Sequence, residues 1–484
     1  MGRFVNPDNS AFQVALNSEI YVDKTGLLSY TNKVLDTMQG YICNSRPRRF
    51  GKSFAANMLA AYYSKGCDSR KMFSGLAISQ TADFEKHLNQ YDVIHLDIQW
   101  FLSNVSDPEQ IVAYITECTL AELRTIYADQ LPPEVSTVPD ALSRIKEATG
   151  QKFVIIIDEW DCIIRNSEDK ELVHQYLQFL HSLFKSEESK GFLALAYITG
   201  ILPIKKIKDE SALNNFEEYT MIKSKPITEY YGFTEDEVRG LCKEYGMDFE
   251  STKAWYNGYL IDGKHMYNPN SVSMAMRRQE FDSYWRNTSS FASINTFITM
   301  NYAGLKDDII TMLSGGKVMV DTESFQNDLS EIYSKDDALT ALIHLGYLAY
   351  DEDLLSAYIP NFEVAKAFQT ALKTGSWIEI SKSISKCDEL LMATITGKEE
   401  KVAELIELAH DTYTSVLKYN DENSLSCVLT MAYFTAPAYY NVIREMPAGK
   451  GFADFVFIPR VNAGSRPAMI VELKYNKSAD TAIK

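Results

Sequence analysis

The first 200 residues carry apolar positions in two alternating patterns. Short continuous apolar runs occur at 40–43 (GYIC), 92–98 (DVIHLDI), 153–158 (FVIIID) and 192–199 (FLALAYIT). A run of this length, bounded by polar residues, reads as a strand buried on both faces. Between the runs, apolar residues recur at helical spacing over about 52–64, 108–127, 139–148 and 167–190, and Pro139 suits a first helical turn. Strand–helix alternation predicts a parallel α/β sheet with helices on both faces.

Beyond about residue 225 the pattern changes. Thr234 and Glu237 have capping-box spacing before a helix that runs to about Tyr245. Residues 226–300 are rich in aromatics and predict a small helical lid. Residues 335–370 read as two helices, short strands (YLAYD, SAYIP) and a further helix, which suits a winged-helix-like module over 301–372. Residues 376–411 read as two amphipathic helices, followed by a helix at 423–434 and strands at 439–446, 452–458 and 468–475.

The chain has 484 residues, 46% of them apolar and 23% charged, which excludes a mostly disordered chain. The formal net charge of −17 excludes a protein that coats polyanions with a basic surface. The charge is uneven: residues 440–484 hold seven Lys or Arg against four Asp or Glu, a net +3. Seven scattered cysteines without a CxxC pair read as reduced thiols. The start MGRFVNPDNS has no apolar signal core, and no apolar run approaches the ~18 residues of a membrane helix. The expected location is cytoplasmic, which leaves the sequon at Asn287 idle.

The segment Ser45-Arg46-Pro47-Arg48-Arg49-Phe50-Gly51-Lys52-Ser53 joins the first apolar run to a helix. Its GKS half has the chemistry of a phosphate loop. Gly51 lets the backbone approach a phosphate, Lys52 reaches the β- and γ-phosphates, and Ser53 ligates Mg²⁺. The helix start aims its N–H groups at the anion. The general pattern wants glycine where Arg46 stands. Arg46, Arg48 and Arg49 offer charge-assisted contacts in compensation. A bare GKS also fits a basic turn before a helix. A second motif discriminates: Asp158-Glu159 closes a buried strand 106 residues after Lys52. In this arrangement the aspartate supports Mg²⁺ and the glutamate polarises the attacking water. Thr199 ends the next buried run, where a polar residue can sense the γ-phosphate.

These residues resemble a family, the bacterial AAA-ATPase-like proteins that carry a C-terminal PD-(D/E)XK nuclease domain. The matching segments are YVDKTGLL (21–28), SRPRRFGKS (45–53), FVIIIDEWD (153–161), ITGILPIKK (198–206), YGFTEDEV (231–238), WYNGY (255–259), YNPNSV (267–272), YWRNTSS (284–290), LIHLGYLAYD (342–351), GFADFVFIP (451–459) and IVELKYNKSA (470–479). The resemblance implies a P-loop ATPase core in which arginine at position 46 is usual, with ATP and Mg²⁺ as cofactors and Phe50 within the nucleotide-binding loop. It also assigns Asp23-Lys24 to the ATPase module, where a surface turn is the plainer reading. Trp255, Tyr256 and Tyr259 fit core packing better than base stacking.

At the C-terminus, a nuclease of this type needs an aspartate and, on the neighbouring strand, an acidic-x-Lys trio that together hold Mg²⁺ and orient water. Asp454 lies in GFADFVFIP, and Glu472 and Lys474 lie in AMIVELKY. The two-residue spacing sets Glu472 and Lys474 on one face of a strand, and the turn-rich loop PRVNAGSRP brings Asp454 beside Glu472. The Leu473 carbonyl is a further candidate ligand, and Glu422 a weaker helical one. A strand-end salt bridge between Glu472 and Lys474 is the alternative. The same E-x-K spacing recurs at Glu188–Lys190 and Glu399–Lys401 in polar helical stretches, without a strand or a partner aspartate. Ser478 opens a helical stretch that reaches Lys484 with no end signal, which predicts an incomplete nuclease core.

The sequence thus predicts an ATPase core at 1–225, a lid at 226–300, a winged-helix-like module at 301–372 and a truncated α+β restriction-endonuclease-like domain at 373–484. The expected activity is ATP hydrolysis coupled to a metal-dependent nuclease acting on nucleic acid, DNA before RNA, with a homo-oligomer or protein partner as an open option. Two other readings stay open: a nucleotide-dependent switch that binds a partner protein through a vestigial nuclease module, and a protein that binds nucleotide without hydrolysing it.

Overall fold

A computed structural model describes residues 2–167, 169–204, 213–285, 297, 302, 304–325, 332–374, 386–414, 422–448, 451–460 and 464–473. The chain divides into two compact units. The first comprises Met1–Val238, Tyr259–Pro269 and Asp321–Gly346; the second comprises Arg239–Gly258, Asn270–Val320 and Tyr347–Lys484. These discontinuous boundaries cut across the sequential limits expected at 226–300 and 301–372, because the hairpin at 259–267 and the helix Lys335–His344 fall in the first unit.

The first unit is built on strands β1 (Tyr41–Ser45), β2 (Asp92–Asp97), β3 (Phe153–Asp158), β4 (Leu193–Gly200) and β5 (Glu217–Tyr219). Among the described residues they form one sheet in the order β2-β3-β4-β1-β5, with every pairing parallel. The continuous apolar runs are explained by cover on both faces. Cys43, Leu96, Ile155, Ile157 and Ile198 belong to the core that includes helices Ile111–Ile126, Val138–Thr149 and Lys170–Phe184. Ile42, Val93, Ile156 and Tyr197 belong to the opposite core, with Ala55, Ala56, Met58 and Leu59 of helix Lys52–Tyr63. Local chemistry sets the helix ends. The Thr137 hydroxyl accepts the Asp140 N–H and Pro139 occupies the first turn, so that helix starts at Val138.

The expected lid is not wholly helical. β6 (Phe233–Thr234), β7 (Tyr259–Ile261) and β8 (Lys264–Tyr267) form an antiparallel sheet in the order β6-β8-β7. The helical spacing of Trp255, Tyr256 and Tyr259 fails after Tyr256, because Gly258 has φ of +118° and Tyr259 opens a strand. All three rings are buried, as core packing requires. Trp255 meets Phe362 edge-on at 4.8 Å in the second unit, and Tyr259 meets Phe50 at 5.3 Å in the first. The capping box forms as expected: Thr234 N–H donates to Glu237 at 2.7 Å and Glu237 N–H donates to the Thr234 hydroxyl at 3.4 Å.

In the second unit, β9 (Val318–Met319), β10 (Ala349–Asp351) and β11 (Ser356–Tyr358) form an antiparallel sheet, and helix Phe362–Thr374 follows it. Two helices, Cys387–Ile395 and Glu399–Thr414, precede helix Glu422–Ala432. β12 (Tyr440–Ala448), β13 (Gly451–Pro459) and β14 (Met469–Val471) then form an antiparallel meander.

Candidate functional site

The C-terminal edge of the parallel sheet gathers the predicted nucleotide residues. Pairing sets Asp97 beside Asp158, Asp158 beside Thr199, and Thr199 beside Asn44. In-register residues of parallel strands share a face, so these four side chains form a polar row across β2, β3, β4 and β1. The face is the one covered by helix Lys52–Tyr63. The loop after β1 reaches that helix through two left-handed residues, Arg49 (φ 68°) and Gly51 (φ 89°). Gly51 caps the helix, an arrangement that glycine adopts at no steric cost.

Lys52 is 4% exposed, and its ammonium donates to the Pro47 carbonyl at 3.1 Å and lies 3.7 Å from Glu159 Oε1. Burial pushes its pKa down, while the carboxylates of Glu159, Asp158 and Asp161 oppose that shift. Asp158 is buried at the end of β3, and its pKa rises to about 6 through desolvation. A hydrogen bond from Ser53 opposes the rise, and the Glu159 charge adds to it. A hydroxyl against a carboxylate is an all-oxygen donor set, which suits a hard cation such as Mg²⁺. Glu159 has φ of 52°, and its Oε2 accepts from Arg165 Nη2 at 2.7 Å. The Thr199 hydroxyl donates to the Asn44 carbonyl at 3.1 Å, and the Thr199 carbonyl accepts Trp160 N–H at 3.1 Å.

Arg46 departs from its expected role. Its guanidinium is fully buried, donates to the carbonyls of Ser45 at 2.8 Å and Tyr219 at 3.1 Å and to the Ser224 hydroxyl, and stands over the Tyr231 ring. Burial lowers its pKa to about 10. Arg46 braces the loop from behind: β1, β5 and the turn at Ser224 engage its two terminal nitrogens, and its Nε has no partner among the described residues. The Phe50 side chain is likewise buried, and its carbonyl accepts Gly232 N–H at 3.1 Å. Arg48 is half-buried, and Arg49 is exposed.

Sequence reasoning missed four residues at this edge: Asp97, which ends β2, Asn44, Asp161 and Arg165. Asn44 is fully buried, and neither polar atom of its carboxamide has a hydrogen-bond partner among the described residues. A polar residue in the apolar run that leads to the loop was the available signal. Asp161 Oδ2 accepts Ile201 N–H at 3.0 Å and Leu202 N–H at 2.7 Å, and Arg165 Nε donates to the same oxygen at 2.9 Å. The i, i+4 spacing of Asp161 and Arg165 was legible, but only the fold brings Glu159 and the end of β4 to them.

Asp23 and Lys24 also find a place. Asp23 accepts the N–H and hydroxyl of Thr25 at 2.8 and 2.7 Å, and Ala77 N–H at 2.7 Å. The buried Lys24 ammonium donates to both Glu237 oxygens and to the Glu229 carbonyl, each at 2.7 Å. It therefore holds the capping-box glutamate, and a free surface turn is the wrong description.

In the C-terminal meander β13 and β14 pair from Phe457–Met469 to Phe455–Val471, and Asp454 and Glu472 are the residues next after that last pair. Asp454 Oδ2 accepts Leu473 N–H at 2.6 Å, and the Leu473 side chain is buried while Glu472 is exposed. Lys474 and the Glu422 side chain lie outside the described residues. Among the described residues no group of three or more His, Cys, Asp or Glu gathers as a metal site.

Residues 11–208 match the family model described as "Predicted AAA-ATPase". A protein of Azotobacter chroococcum mcd 1, described as "Uncharacterized protein in vnfD 5'region", is 25% identical over 275 residues, which is 56% of this chain and 51% of the relative. The chain thus spans about half the length of that curated relative. Among solved structures, the Aeropyrum pernix ORC2 protein in ADPNP-ADP complexes is 12% identical with a TM-score of 0.32, covering 74% of this chain and 97% of its own. The Aeropyrum pernix ORC1 protein in complex with DNA is 11% identical with a TM-score of 0.28, covering 76% and 98%. No helix among the described residues is long and apolar enough to cross a membrane. The N-terminal region is therefore similar to the predicted AAA-ATPases, over residues that include β1 to β4 and the polar row across them, but not β5.

Proposed function

We propose that this protein binds ATP with Mg²⁺ at the C-terminal edge of the parallel sheet and hydrolyses it, and that its C-terminal module is a metal-dependent nuclease-like domain acting on DNA. One juxtaposition carries the ATPase reading: Lys52 and Ser53 stand against Glu159 and Asp158, from segments 106 residues apart. Lys52 exchanges the Pro47 carbonyl and Glu159 for the β- and γ-phosphates, whose charge offsets the desolvation of its ammonium. The first N–H groups of helix Lys52–Tyr63 receive phosphate oxygens. Ser53 and Asp158 are the Mg²⁺ ligands, and the ion supplies charge neutralisation when bound. Glu159 polarises the attacking water, and Thr199 contacts the γ-phosphate.

The hydrogen bond from Leu473 N–H to Asp454 Oδ2, which ties Asp454 to the segment of Glu472, supports the nuclease reading, with Glu472 and Lys474 as the other members of the trio. The sequential modules 1–225, 226–300, 301–372 and 373–484, the third of them winged-helix-like, remain the proposed functional division.

The test pairs a fluorescent ATP analogue with phosphate release. Lys52→Ala abolishes binding. Glu159→Gln keeps binding and lowers release by about 100-fold or more. Wild-type affinity in Lys52→Ala overturns the ATP reading, and unchanged release in Glu159→Gln overturns hydrolysis at this site. For the nuclease, Mg²⁺-dependent cleavage of a DNA duplex disappears in Glu472→Ala; cleavage indifferent to Glu472 refutes that half.

A further inference from the structure

Arg165 lies on the short helix Cys162–Asn166, and its side chain is 7% exposed. It is the group that joins the two carboxylates following β3. Nη2 donates to Glu159 Oε2 at 2.7 Å, and Nε donates to Asp161 Oδ2 at 2.9 Å. Asp161 is itself fastened to the end of β4 by the N–H groups of Ile201 and Leu202. The planar guanidinium thus ties Glu159 to the segment that follows Thr199.

The division of labour between the two Glu159 oxygens is informative. Arg165 takes Oε2, while Oε1 lies 3.7 Å from the Lys52 ammonium, on the side of the phosphate loop. The Glu159 backbone is left-handed at φ 52°, an uncommon state for a residue with a side chain, and it persists where neighbours over-determine it. A partly exposed glutamate has three rotatable side-chain bonds and holds one rotamer only if something fixes its far end.

We propose that Arg165 is a positioning residue for ATP hydrolysis, holding Glu159 by Oε2 so that Oε1 is presented to the attacking water. The inference rests on the ATP-hydrolysis reading above. In the step it serves, the water oxygen bonds to the γ-phosphorus, the bond to the β–γ bridging oxygen breaks, and ADP departs with that electron pair. The water proton moves toward Oε1 and on to phosphate. Asp161 keys the orientation of Arg165 to the Thr199–Leu202 segment, so the water-polarising group and the residue proposed to contact the γ-phosphate share one brace.

The test uses the full chain with Arg165→Ala, Arg165→Lys and Arg165→Gln. ATP-analogue affinity and steady-state phosphate release are measured separately. Arg165→Ala lowers kcat by about 10- to 100-fold, the scale of a misplaced catalytic group, with affinity and KM within about twofold. Arg165→Lys regains part of kcat, because an ammonium reaches Glu159 but cannot span both carboxylates. If Arg165→Ala fails to fold, Arg165→Gln carries the same comparison. Wild-type kcat in a folded Ala or Gln variant overturns the inference and leaves the ATPase reading standing. So does a parallel fall in affinity and kcat with no recovery in the Lys variant, which marks a purely structural brace. A wild-type protein that binds no ATP overturns the underlying reading and this inference with it.

Discussion

Replacing Glu363 by glutamine makes the second unit more stable at alkaline pH. Glu363 is the second residue of helix Phe362–Thr374 and is 1% exposed. Its Oε1 accepts Tyr284 N–H at 2.7 Å and Trp285 N–H at 2.9 Å. Burial raises its pKa from 4.5 to about 7; the Ser271 hydroxyl and then those two backbone bonds oppose the rise, and the Asp282 charge adds to it. The folded state therefore binds the proton more tightly than the unfolded chain. Stability from this group is fully present below about pH 4.5 and is lost as pH rises through 7. That rise corresponds to roughly 3 kcal/mol well above pH 7, of which about 2 kcal/mol falls between pH 5.5 and 8.5. Glutamine keeps the accepting carbonyl and removes the charge. Urea unfolding of both proteins at pH 5.5 and 8.5 reads the effect, because comparison at each pH cancels the other titrating groups. The stability of Glu363→Gln relative to wild type rises by about 2 kcal/mol from the lower to the higher pH. Glu363→Ala instead leaves two buried N–H groups without an acceptor and loses about 1–3 kcal/mol for each at both pH values. A wild-type-to-Gln difference that does not change with pH would refute the reasoning.

Two further perturbations test the first unit. A β-carbon at Gly200 would stand 2.5 Å from Asp161 Oδ1 and 2.8 Å from both Asp161 Cγ and Trp160 Cδ1. Gly200→Ala therefore lowers stability by about 1–3 kcal/mol in urea unfolding, and an unchanged midpoint contradicts the close approach. Lys24→Met removes the cation that Glu237 and the Glu229 carbonyl share. The Glu237 side chain is 26% exposed and keeps its bond from Thr234 N–H, so the loss is about 2 kcal/mol rather than the 3–5 kcal/mol of a fully buried pair. A double-mutant cycle with Glu237→Gln returns a coupling of about 1–2 kcal/mol; additive effects sink the assignment.

The sequence by itself determined the parallel sheet. Apolar runs at 92–98, 153–158 and 192–199 became β2, β3 and β4 to within two residues, because a strand covered on both faces has no polar side to blur the signal. The phosphate loop and the Asp158-Glu159 strand end were legible for the same reason: each follows an apolar run with an abrupt change to charged residues.

Tertiary structure alone decided which charges are spent and which are available. Arg46 read as a phosphate contact, and the fold buries it and gives its two terminal nitrogens to β1, β5 and the turn at Ser224. Asp161 and Arg165 had no reading of their own in the sequence; the end of β4 fastens the one and Glu159 engages the other. The physical reason is range. Periodicity and capping act over a few residues, and the sequence prints them directly. A buried polar group answers to whatever partners the fold brings to it, and here those partners come from as far as Arg46 to Tyr219 or Lys24 to Glu237.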